Sequence, residues 1–444
     1  MSLSIGVLVD LSLTLEASGH VKSWERLAEA ATDFPEQLDL TVHFLGGEHQ
    51  VIQLAKHVRY VLHPPIFSTE RLPFLDRASG QTDLAPSNRK LLPYLQTCDV
   101  IHATHPLFTF GRTAMQYAQR SRTPLVSSIH TDTVKHGQIC VADVIRRLTG
   151  RGAVSRLLND KVKVPARWAA AAQRKLLKYW SQCDRVLVSQ AADFQHVAQV
   201  LPSSRISYLR RGLNRTLFSP HVRDRRLLQS MFGVPKDKFL VLFVGRLDAT
   251  KHVMTLARAV RLLRDRGCPV HAMMVGQGGL REEIRGLLGD AVTLPGTLTQ
   301  SVLAQVYASA DLFAFPSQTE TYGNVVLEAK ACGLPVLVST EGGSAQLVQH
   351  PGEDGLLIHG DEPQFWAEAI DALHDAPSRL AAMRQAVLKG SVPWVSWRDV
   401  LIHDLLPVWQ AVGYPLGRKP RRDEAAYAFH DLSFAASQQA ASVS

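Results

Sequence analysis

Hydrophobic and polar positions alternate along the chain in two successive series. Short apolar runs are separated by stretches of helical period, and the pattern starts again after a polar connection around residues 214–238. This alternation is typical of parallel sheets that are covered by helices on both faces. The predicted strands are 4–9, 40–45, 100–103, 124–129 and 185–189 in the first series, and 239–244, 270–275, 291–294, 311–315 and 335–339 in the second.

The pattern predicts an α/β protein with two Rossmann-like domains, at residues 1–212 and 213–395. A final amphipathic helix is predicted at 396–413, and the polar residues 414–444 are expected to form a flexible tail. Residues 63–92 are rich in proline and weakly periodic, which predicts an irregular insertion. The predicted helices include 21–31, 112–120, 252–266, 279–288, 300–309 and 324–332.

Composition narrows the class of protein. The 444 residues are 46% apolar and 20% charged, which favours a globular chain over a disordered one. The five cysteines are scattered without a C-x-x-C pair, so they indicate neither a zinc site nor a disulfide framework, and a cytoplasmic location is expected. Residues 1–10 lack a basic leader and no apolar run reaches about 18 residues, so we expect neither export nor a membrane span. The net charge of +9 predicts an acidic partner, which could be anionic lipid, nucleic acid or a phosphorylated substrate.

Two acids, Glu320 and Glu328, flank the start of the helix predicted at 324–332. Between them, Gly323 permits close backbone approach, and the N–H groups from Tyr322 to Val325 suit an anion such as a phosphate. Carboxylates at these positions would accept hydrogen bonds from ligand hydroxyls, which points to a nucleotide-diphosphate sugar. The alternative is that both acids only stabilise a helix N-terminus.

A second candidate site follows the strand predicted at 239–244. The segment Gly245-Arg-Leu-Asp-Ala-Thr-Lys251 comes at the carboxyl end of that strand, where open α/β sheets bind ligands. Arg246 and Lys251 could both face one anion there, as a planar fork and a point charge. The alternative is two surface cations that flank a helix start.

Both segments resemble motifs of the retaining nucleotide-sugar glycosyltransferases of family four, which have the two-domain GT-B fold. The resemblance extends over most of the chain and implies that the final helix crosses back to the first domain. It implies that Glu328 binds the ribose hydroxyls and that Glu320, with the amides of Tyr322 to Asn324, binds the sugar. It also implies that Arg246 and Lys251 neutralise the leaving diphosphate.

Further positions match the family less specifically. Gly276 lies in a glycine-rich turn after a strand, and Thr297 lies in a loop similar to the one that holds the base in the family. Gly19 matches a loop that closes on the phosphates, although one glycine is present where two are usual, and an ordinary turn is the alternative. His130, in the segment Ser127-Ser-Ile-His-Thr-Asp, is expected to contact the donor sugar without acting as a general base, and a structural histidine is the alternative.

The function predicted from these motifs is retaining transfer of a sugar from a UDP or GDP donor to a lipid, glycan or small-molecule acceptor. Front-face displacement is expected because no residue is an obvious nucleophile. The absence of an Asp-x-Asp pair predicts that no metal is required, with Arg246, Lys251 and helix N-termini in its place. No other cofactor is expected. The alternatives are epimerisation or phosphorolysis of the same donors, or a basic membrane- or nucleic-acid-binding protein with an inactive cleft. Nucleic acid is the disfavoured partner.

Residues 141–180 form a basic insertion with ten lysines and arginines against two acids. At helical spacing, Ala169, Leu176, Leu177 and Trp180 fall on one face. A basic amphipathic helix with an interfacial tryptophan is suited to peripheral docking on anionic lipid. The alternative is a solvated helix that packs on its own domain.

Overall fold

The computed structural model describes residues 2–14, 19–72, 82–150, 152–390 and 394–414. Within these ranges the chain forms two β-sheets, one from each half of the sequence. Helices connect most of the strands, as the alternating pattern predicts. The α/β prediction is therefore confirmed.

The first sheet has eight strands. They are β1 (Leu3–Ser12), β2 (Leu38–Leu45), β3 (Gln50–Ala55), β4 (Val58–His63), β5 (Val100–Ala103), β6 (Leu125–Ser128), β7 (Arg185–Val188) and β8 (Ile206–Tyr208). Their order is β3-β4-β2-β1-β5-β6-β7-β8. Every neighbouring pair is parallel except β3 with β4, which form an antiparallel edge.

The second sheet has six strands, and all of its neighbouring pairs are parallel. They are β9 (Phe239–Val244), β10 (Val270–Val275), β11 (Val292–Gly296), β12 (Leu312–Phe315), β13 (Val336–Ser339) and β14 (Leu356–Ile358). Their order is β11-β10-β9-β12-β13-β14. The strand order reverses direction between β9 and β12, and ligands of open α/β sheets bind at the carboxyl ends beside such a reversal.

Helices cover both sheets. In the first half they are α1 (Gly19–Ala31), α2 (Leu92–Leu95), α3 (Thr109–Ser121), α4 (Thr133–Thr149), α5 (Ala153–Arg156), α6 (Val164–Trp180) and α7 (Ala191–Ala198). In the second half they are α8 (Arg225–Phe232), α9 (Val253–Asp265), α10 (Arg281–Leu288), α11 (Gln300–Ser309), α12 (Asn324–Ala331), α13 (Pro363–His374), α14 (Pro377–Lys389), α15 (Trp397–Val400) and α16 (Leu406–Gly413).

The end of the described chain returns to the first half. A π-helical turn, Leu401–Leu405, joins α15 to α16, so residues 397–413 are helical throughout. Val400, Leu405 and Trp409 are fully buried in the same apolar cluster as the first strand. The helix that the resemblance expects to cross back is therefore present.

Four strands escape the sequence pattern. β3 is an edge strand whose side chains are mostly exposed, and β8 and β14 have three residues each. β4 follows β3 after a two-residue connection, inside a stretch where the pattern shows no separate strand. The stretch 63–92 is irregular where it is described, with short 3₁₀ turns at Thr69–Arg71 and Arg89–Leu91.

The apolar face predicted for the basic insertion is part of the core. Leu176 and Trp180 are 3% and 6% exposed and pack in one apolar cluster of the first half. Of the two alternatives for this helix, the structure shows the one in which it packs on its own domain, so Trp180 is not an interfacial residue. This packing is favourable because it removes the apolar side chains of α6 from water.

Three further expectations concern membrane spans, the cysteines and the tail. In the described ranges, every helix is too short or too polar to span a lipid bilayer. The five cysteines are not joined in disulfides. The predicted flexible tail, apart from residue 414, lies outside the described residues.

Candidate active site

The two predicted acids lie on either side of the start of α12. β12 ends at Phe315 and α12 begins at Asn324, which places Glu320 in the connecting loop and Glu328 in the second turn of the helix. β12 adjoins β9 at the reversal of strand order. The connecting loop is therefore held at the carboxyl edge of the sheet, beside the loop that follows β9.

Glu320 forms an ion pair with Lys251, which joins these two loops. The side chains of Lys251 and Glu320 are 16% and 21% exposed. The hydroxyl of Ser317 lies 3.4 Å from the same carboxylate oxygen and donates to it. Two residues that the sequence analysis assigns to the sugar and the diphosphate thus meet in one place.

Arg246 is held by an acid that the sequence analysis does not single out. Its Nε lies 3.1 Å from Oδ2 of Asp248, and its Nη2 donates to the hydroxyl of Thr250 over 3.1 Å. Asp248 also accepts the backbone N–H of Thr250 at 2.9 Å and so begins the 3₁₀ turn Ala249–Lys251. Burial acts to raise the pKa of Asp248, but Arg246, Thr250 and Lys251 together hold it below its usual value. The ionised acid orients the guanidinium.

Glu328 lies deeper and is partly buried. The hydroxyl of Tyr307 donates to its Oε2 over 3.1 Å. Burial raises the pKa of Glu328 to about 7, against the opposing effects of Tyr307 and Arg26. The protonation of this carboxyl therefore changes near neutral pH.

The backbone at the start of α12 needs a glycine. Gly323 has a φ of 90°, in the left-handed region that residues with a Cβ rarely adopt. A Cβ at this position would lie 2.3 Å from the hydroxyl of Ser344. That hydroxyl is buried and has no hydrogen-bond partner among the described residues. The amides at the start of α12 and the Ser344 hydroxyl thus offer unsatisfied groups to a ligand.

The first half contacts these loops directly. Thr131 and Glu320 form an isolated antiparallel bridge, and the N–H of Asp132 donates to the carbonyl of Thr319 over 3.3 Å. Near the start of α1, Asn324 donates through its Nδ2 to the hydroxyl of Ser23 over 3.2 Å. The segment that follows β6 and the first two turns of α1 therefore form the opposite wall of the cleft.

Gly19 lies close to the start of α12, and Tyr322 lies near two arginines. Gly19 is the first residue of α1, and a Cβ there would lie 3.8 Å from Nδ2 of Asn324. The N-termini of α1 and α12 consequently approach each other. Tyr322 is partly buried, and burial raises the pKa of its phenol against the opposing charges of Arg211 and Arg210.

His130 sits in a chain of hydrogen bonds. Its Nε2 lies 2.8 Å from the hydroxyl oxygen of Ser128, and its Nδ1 accepts from Arg211 over 3.2 Å. The same Ser128 oxygen lies 2.8 Å from Nε2 of His102, whose Nδ1 accepts from the indole N–H of Trp409 over 3.1 Å.

The donors at the two ends of this series of hydrogen bonds determine which ring nitrogens carry protons. Trp409 and Arg211 can only donate, so Nδ1 of each histidine must accept and each Nε2 must carry the proton. Ser128 therefore accepts from both rings. Burial lowers the pKa of His102 to about 3, and burial with the charge of neighbouring His20 and Arg211 lowers the pKa of His130. His130 is thus neutral, and both of its ring nitrogens are occupied.

His20 is a neighbouring residue to which the sequence analysis gives no role. Its ring stacks on His130 with 4.0 Å between ring centroids and lies 4.8 Å from the ring of His105. The side chain is buried, and neither nitrogen has a partner within the described residues. Only its position next to Gly19 could have drawn attention to it, because the packing of an imidazole cannot be read from sequence.

Three glycine-containing turns meet at the carboxyl ends of β9, β10 and β11. The N–H of Gly245 donates to the carbonyl of Val275, and the N–H of Gly276 donates to Gly296, both over 2.9 Å. A Cβ on Gly276 would lie 2.0 Å from the carbonyl oxygen of Gly245, so this close approach requires glycine. Thr297 follows on the exposed side of the last turn.

One group of side chains could hold a metal among the described residues. Cys268, Asp371 and His374 place ligand atoms within 4.8 Å of one another. Cys268 precedes β10, so the group lies at the amino edge of the sheet, opposite the cleft. It is separate from the predicted site residues.

Comparison with known proteins agrees with this architecture. Residues 238–376 match the family described as glycosyl transferases group 1. The chain is 30% identical to D-inositol 3-phosphate glycosyltransferase of Thermomonospora curvata over 329 residues, which cover 70% of this chain and 71% of that protein. It is 29% identical to D-inositol 3-phosphate glycosyltransferase 1 of Catenulispora acidiphila over 328 residues, with 70% and 72% covered.

Solved structures of similar fold extend the comparison to both halves. Sucrose-phosphate synthase from Thermosynechococcus elongatus matches with a TM-score of 0.65 and 20% identity, and 90% of this chain and 96% of that chain are covered. Anabaena Alr3699/HepE in complex with UDP and glucose matches with a TM-score of 0.60 and 19% identity, with 90% and 97% covered. At these identities the likeness concerns the fold.

Proposed function

Because this chain belongs to the group 1 glycosyltransferases of family four and has their GT-B fold, we propose that it transfers a sugar from a UDP or GDP donor with retention of the anomeric configuration. The observation that carries the proposal is the meeting of Lys251 and Glu320 beside Arg246 at the carboxyl edge of the second sheet. A cation pair beside an acid suits a diphosphate that is linked to a sugar.

The donor is proposed to lie along the loops of the second sheet. Its diphosphate would face Arg246 and Lys251, and its ribose hydroxyls would donate to the carboxylate of Glu328. The amides of Tyr322 to Asn324 would receive the sugar together with Glu320. The turns at Gly245, Gly276 and Thr297 would hold the base through main-chain groups. UDP is present with the Anabaena neighbour, and GDP is the second base we propose to test.

The proposed reaction takes place on one face of the sugar. The bond between the anomeric carbon and the leaving phosphate oxygen breaks while the acceptor oxygen bonds to the same face of that carbon. The acceptor proton moves to the leaving phosphate oxygen, so the products are a glycoside and a nucleoside diphosphate. Arg246 and Lys251 stabilise the charge on the leaving group, and Glu320 supports positive charge on the sugar ring.

The hydrogen bonds of His130 support a reaction without an enzymatic base at that position. A general base needs a free lone pair, and Nδ1 of His130 already accepts from Arg211. The role we propose for His130 is to fix the wall against which the sugar rests, with its ring held between Ser128 and Arg211.

We propose that transfer needs no divalent cation, because Arg246 and Lys251 supply positive charge where an Asp-x-Asp enzyme would use a metal. Activity that is unchanged in a chelator is the expected result. Loss of activity in the chelator, with recovery on addition of magnesium or manganese, would contradict this part of the proposal.

The acceptor is proposed to carry a sugar-accepting hydroxyl on a lipid, a glycan or a small molecule. D-inositol 3-phosphate belongs in the test, because relatives of this chain are named for it. The site of action that we propose is the cytoplasm, where the five free thiols would stay reduced.

A donor screen tests the proposal. Thermal unfolding is followed with a panel of UDP and GDP sugars, and each donor that stabilises the protein is then assayed for hydrolysis and for transfer to the acceptors above. We expect one nucleotide series to stabilise the protein. Lys251→Ala should lose that stabilisation, and the exposed control Lys236→Ala should keep it. NMR of the product separates retained transfer from inversion, epimerisation and phosphorolysis. Stabilisation that survives both Lys251→Ala and Arg246→Ala would refute the site.

A further inference from the structure

Large apolar side chains are exposed at the end of α4, in the connection that follows it and in α6. Leu148, Val154 and Leu157 are 64%, 55% and 48% exposed, and Trp168 is 37% exposed. Single exposed apolar residues are common on soluble proteins, but a local group of them marks an interaction surface. We call Leu148, Val154, Leu157 and the surrounding bases the connection surface.

The local helix geometry places Val154 and Leu157 on one side of the connection. Ser155 and Asn159 line a small cavity with Ala142, so they face α4. Val154 and Leu157 are three residues apart and Lys161 follows four residues later, a spacing that aligns them on a different face of the turns Ala153–Lys161. Two aliphatic side chains and a lysine are thus presented together to the outside.

Bases surround the aliphatic residues. Arg156, Lys161, Lys163 and Arg167 are exposed, and no ion pair involves any of them in the described part of the chain. One acid, Asp160, lies among the described residues from 152 to 168. The surface therefore combines aliphatic side chains with unneutralised positive charge.

This combination fits the surface of an anionic bilayer. Aliphatic side chains enter the boundary between head groups and acyl chains, while lysines and arginines meet the lipid phosphates. Nucleic acid would use the bases alone, because Leu148, Val154 and Leu157 offer no flat ring on which a nucleobase could stack, and the ring of Trp168 packs against Gly137 of α4. We propose that the connection surface docks the protein on anionic lipid.

The position of the surface relates it to the cleft. Asp132 caps the start of α4 by accepting the N–H of Lys135 at 2.9 Å, next to the bridge between Thr131 and Glu320. The 17 residues of α4 span about 26 Å to its other end, where Leu148 lies. A groove of about 690 Å³ between Ile139 of α4 and Val253 of α9 follows the same helix. Docking would hold the cleft within reach of acceptors at the membrane.

Vesicle flotation with the full chain tests the docking, which does not depend on the proposed transfer. Vesicles of phosphatidylcholine alone are compared with vesicles that also contain phosphatidylglycerol. We expect flotation with the anionic vesicles only. Val154→Ser with Leu157→Ser should lower the bound fraction about tenfold, and Lys161→Gln with Arg167→Gln should weaken binding to the anionic vesicles by about tenfold or more.

Matched variants on the second half are the controls. Met231→Ser with Phe365→Ser removes two side chains of similar exposure, and Lys236→Gln with Arg379→Gln removes two exposed charges. Both should float like the unmodified protein. All variants keep residues 415–444, so any contribution of the basic cluster there is common to them. An unchanged melting temperature in the two connection-surface variants shows that they remain folded.

Three outcomes would overturn the proposal. The first is no flotation of the unmodified chain with anionic vesicles. The second is flotation that the two connection-surface variants leave unchanged. The third is binding of single-stranded or duplex nucleic acid that exceeds the binding to vesicles and is lost in Lys161→Gln with Arg167→Gln.

Discussion

Lys251 and Glu320 are paired with each other across the loops that follow β9 and β12. The proposed chemistry needs the ammonium at the diphosphate and the carboxylate at the sugar. Donor binding must therefore weaken or share this ion pair. The positive charge of Arg246 is similarly balanced by Asp248. Each of the two cations is thus balanced by an acid of the protein, and a diphosphate is expected to bind by replacing Asp248 and Glu320 as their partners.

Glu320→Gln separates the two roles of this pair. The variant keeps the shape of the side chain but frees Lys251 from its carboxylate partner, so nucleoside diphosphates should bind a few-fold more tightly, in line with about 1 kcal/mol for a partly exposed ion pair. Transfer should fall by about 10²–10³-fold, because the charge that supports the sugar is lost. Calorimetric titration and single-turnover kinetics give the two numbers. Weaker diphosphate binding in this variant would contradict the account of the pair.

The protonation of Glu328 predicts how donor affinity depends on pH. Burial raises the pKa of its carboxyl to about 7, and the ionised form accepts hydrogen bonds from ribose hydroxyls more strongly than the protonated form does. Affinity should thus increase as pH rises through this value and level off about one unit above it, with a change of up to about tenfold over two units. A nucleotide sugar is the ligand to use, since its diphosphate diester does not titrate in this range. Glu328→Gln should bind more weakly with a flat profile, and the same slope in both proteins would exclude Glu328 as its source.

Gly323→Ala tests the backbone at the start of α12. The left-handed φ of 90° and the 2.3 Å approach to Ser344 both oppose a Cβ. We expect a loss of about 1–3 kcal/mol in the free energy of unfolding and at least tenfold slower transfer, because the amides that face the ligand must shift. Addition of Ser344→Gly removes the steric conflict but not the strained φ, so it should restore stability in part. Full stability and activity of the single variant would show that the loop is less constrained than its geometry indicates.

Ser128→Ala removes the acceptor shared by two buried imidazoles. The Nε2–H groups of His102 and His130 would both lose their partner, which should lower the free energy of unfolding by about 1–3 kcal/mol or more. Ser127→Ala is the matched control, because the Ser127 hydroxyl is buried without a partner among the described residues and its removal should be neutral or stabilising. Denaturant unfolding measures both. Equal effects of the two changes would argue against the proton assignment along this chain.

Much of the fold can be predicted from the sequence because its central strands are continuous apolar runs. β9 and β10 lie at the predicted boundaries, since residues 239–244 and 270–275 are buried on both faces and bounded by turn residues. β3 and β8 escape prediction, because an exposed or three-residue edge strand carries too little apolar pattern. The same limit explains Trp180, whose stripe is equally compatible with a membrane and with the neighbouring core.

Some features of the candidate site can also be predicted from the sequence, and others cannot. Motif spacing locates Glu320 and Lys251, because the carboxyl ends of adjacent parallel strands must meet. The partners of these residues depend on tertiary packing that no local pattern encodes. Asp248, which holds Arg246, and Arg211, which donates to His130, are examples. The roles of all these residues in catalysis stay predictions until donors are tested.

Arg246, Lys251, Glu320 and Glu328 are proposed to form one donor site. The decisive experiment is a crystal structure of the protein with the nucleoside diphosphate that stabilises it most, UDP or GDP. We expect the diphosphate to contact Arg246 and Lys251, and both ribose hydroxyls to lie within hydrogen-bonding distance of Glu328. A nucleotide bound elsewhere, with Lys251 still paired to Glu320 and Arg246 to Asp248, would refute the proposed site.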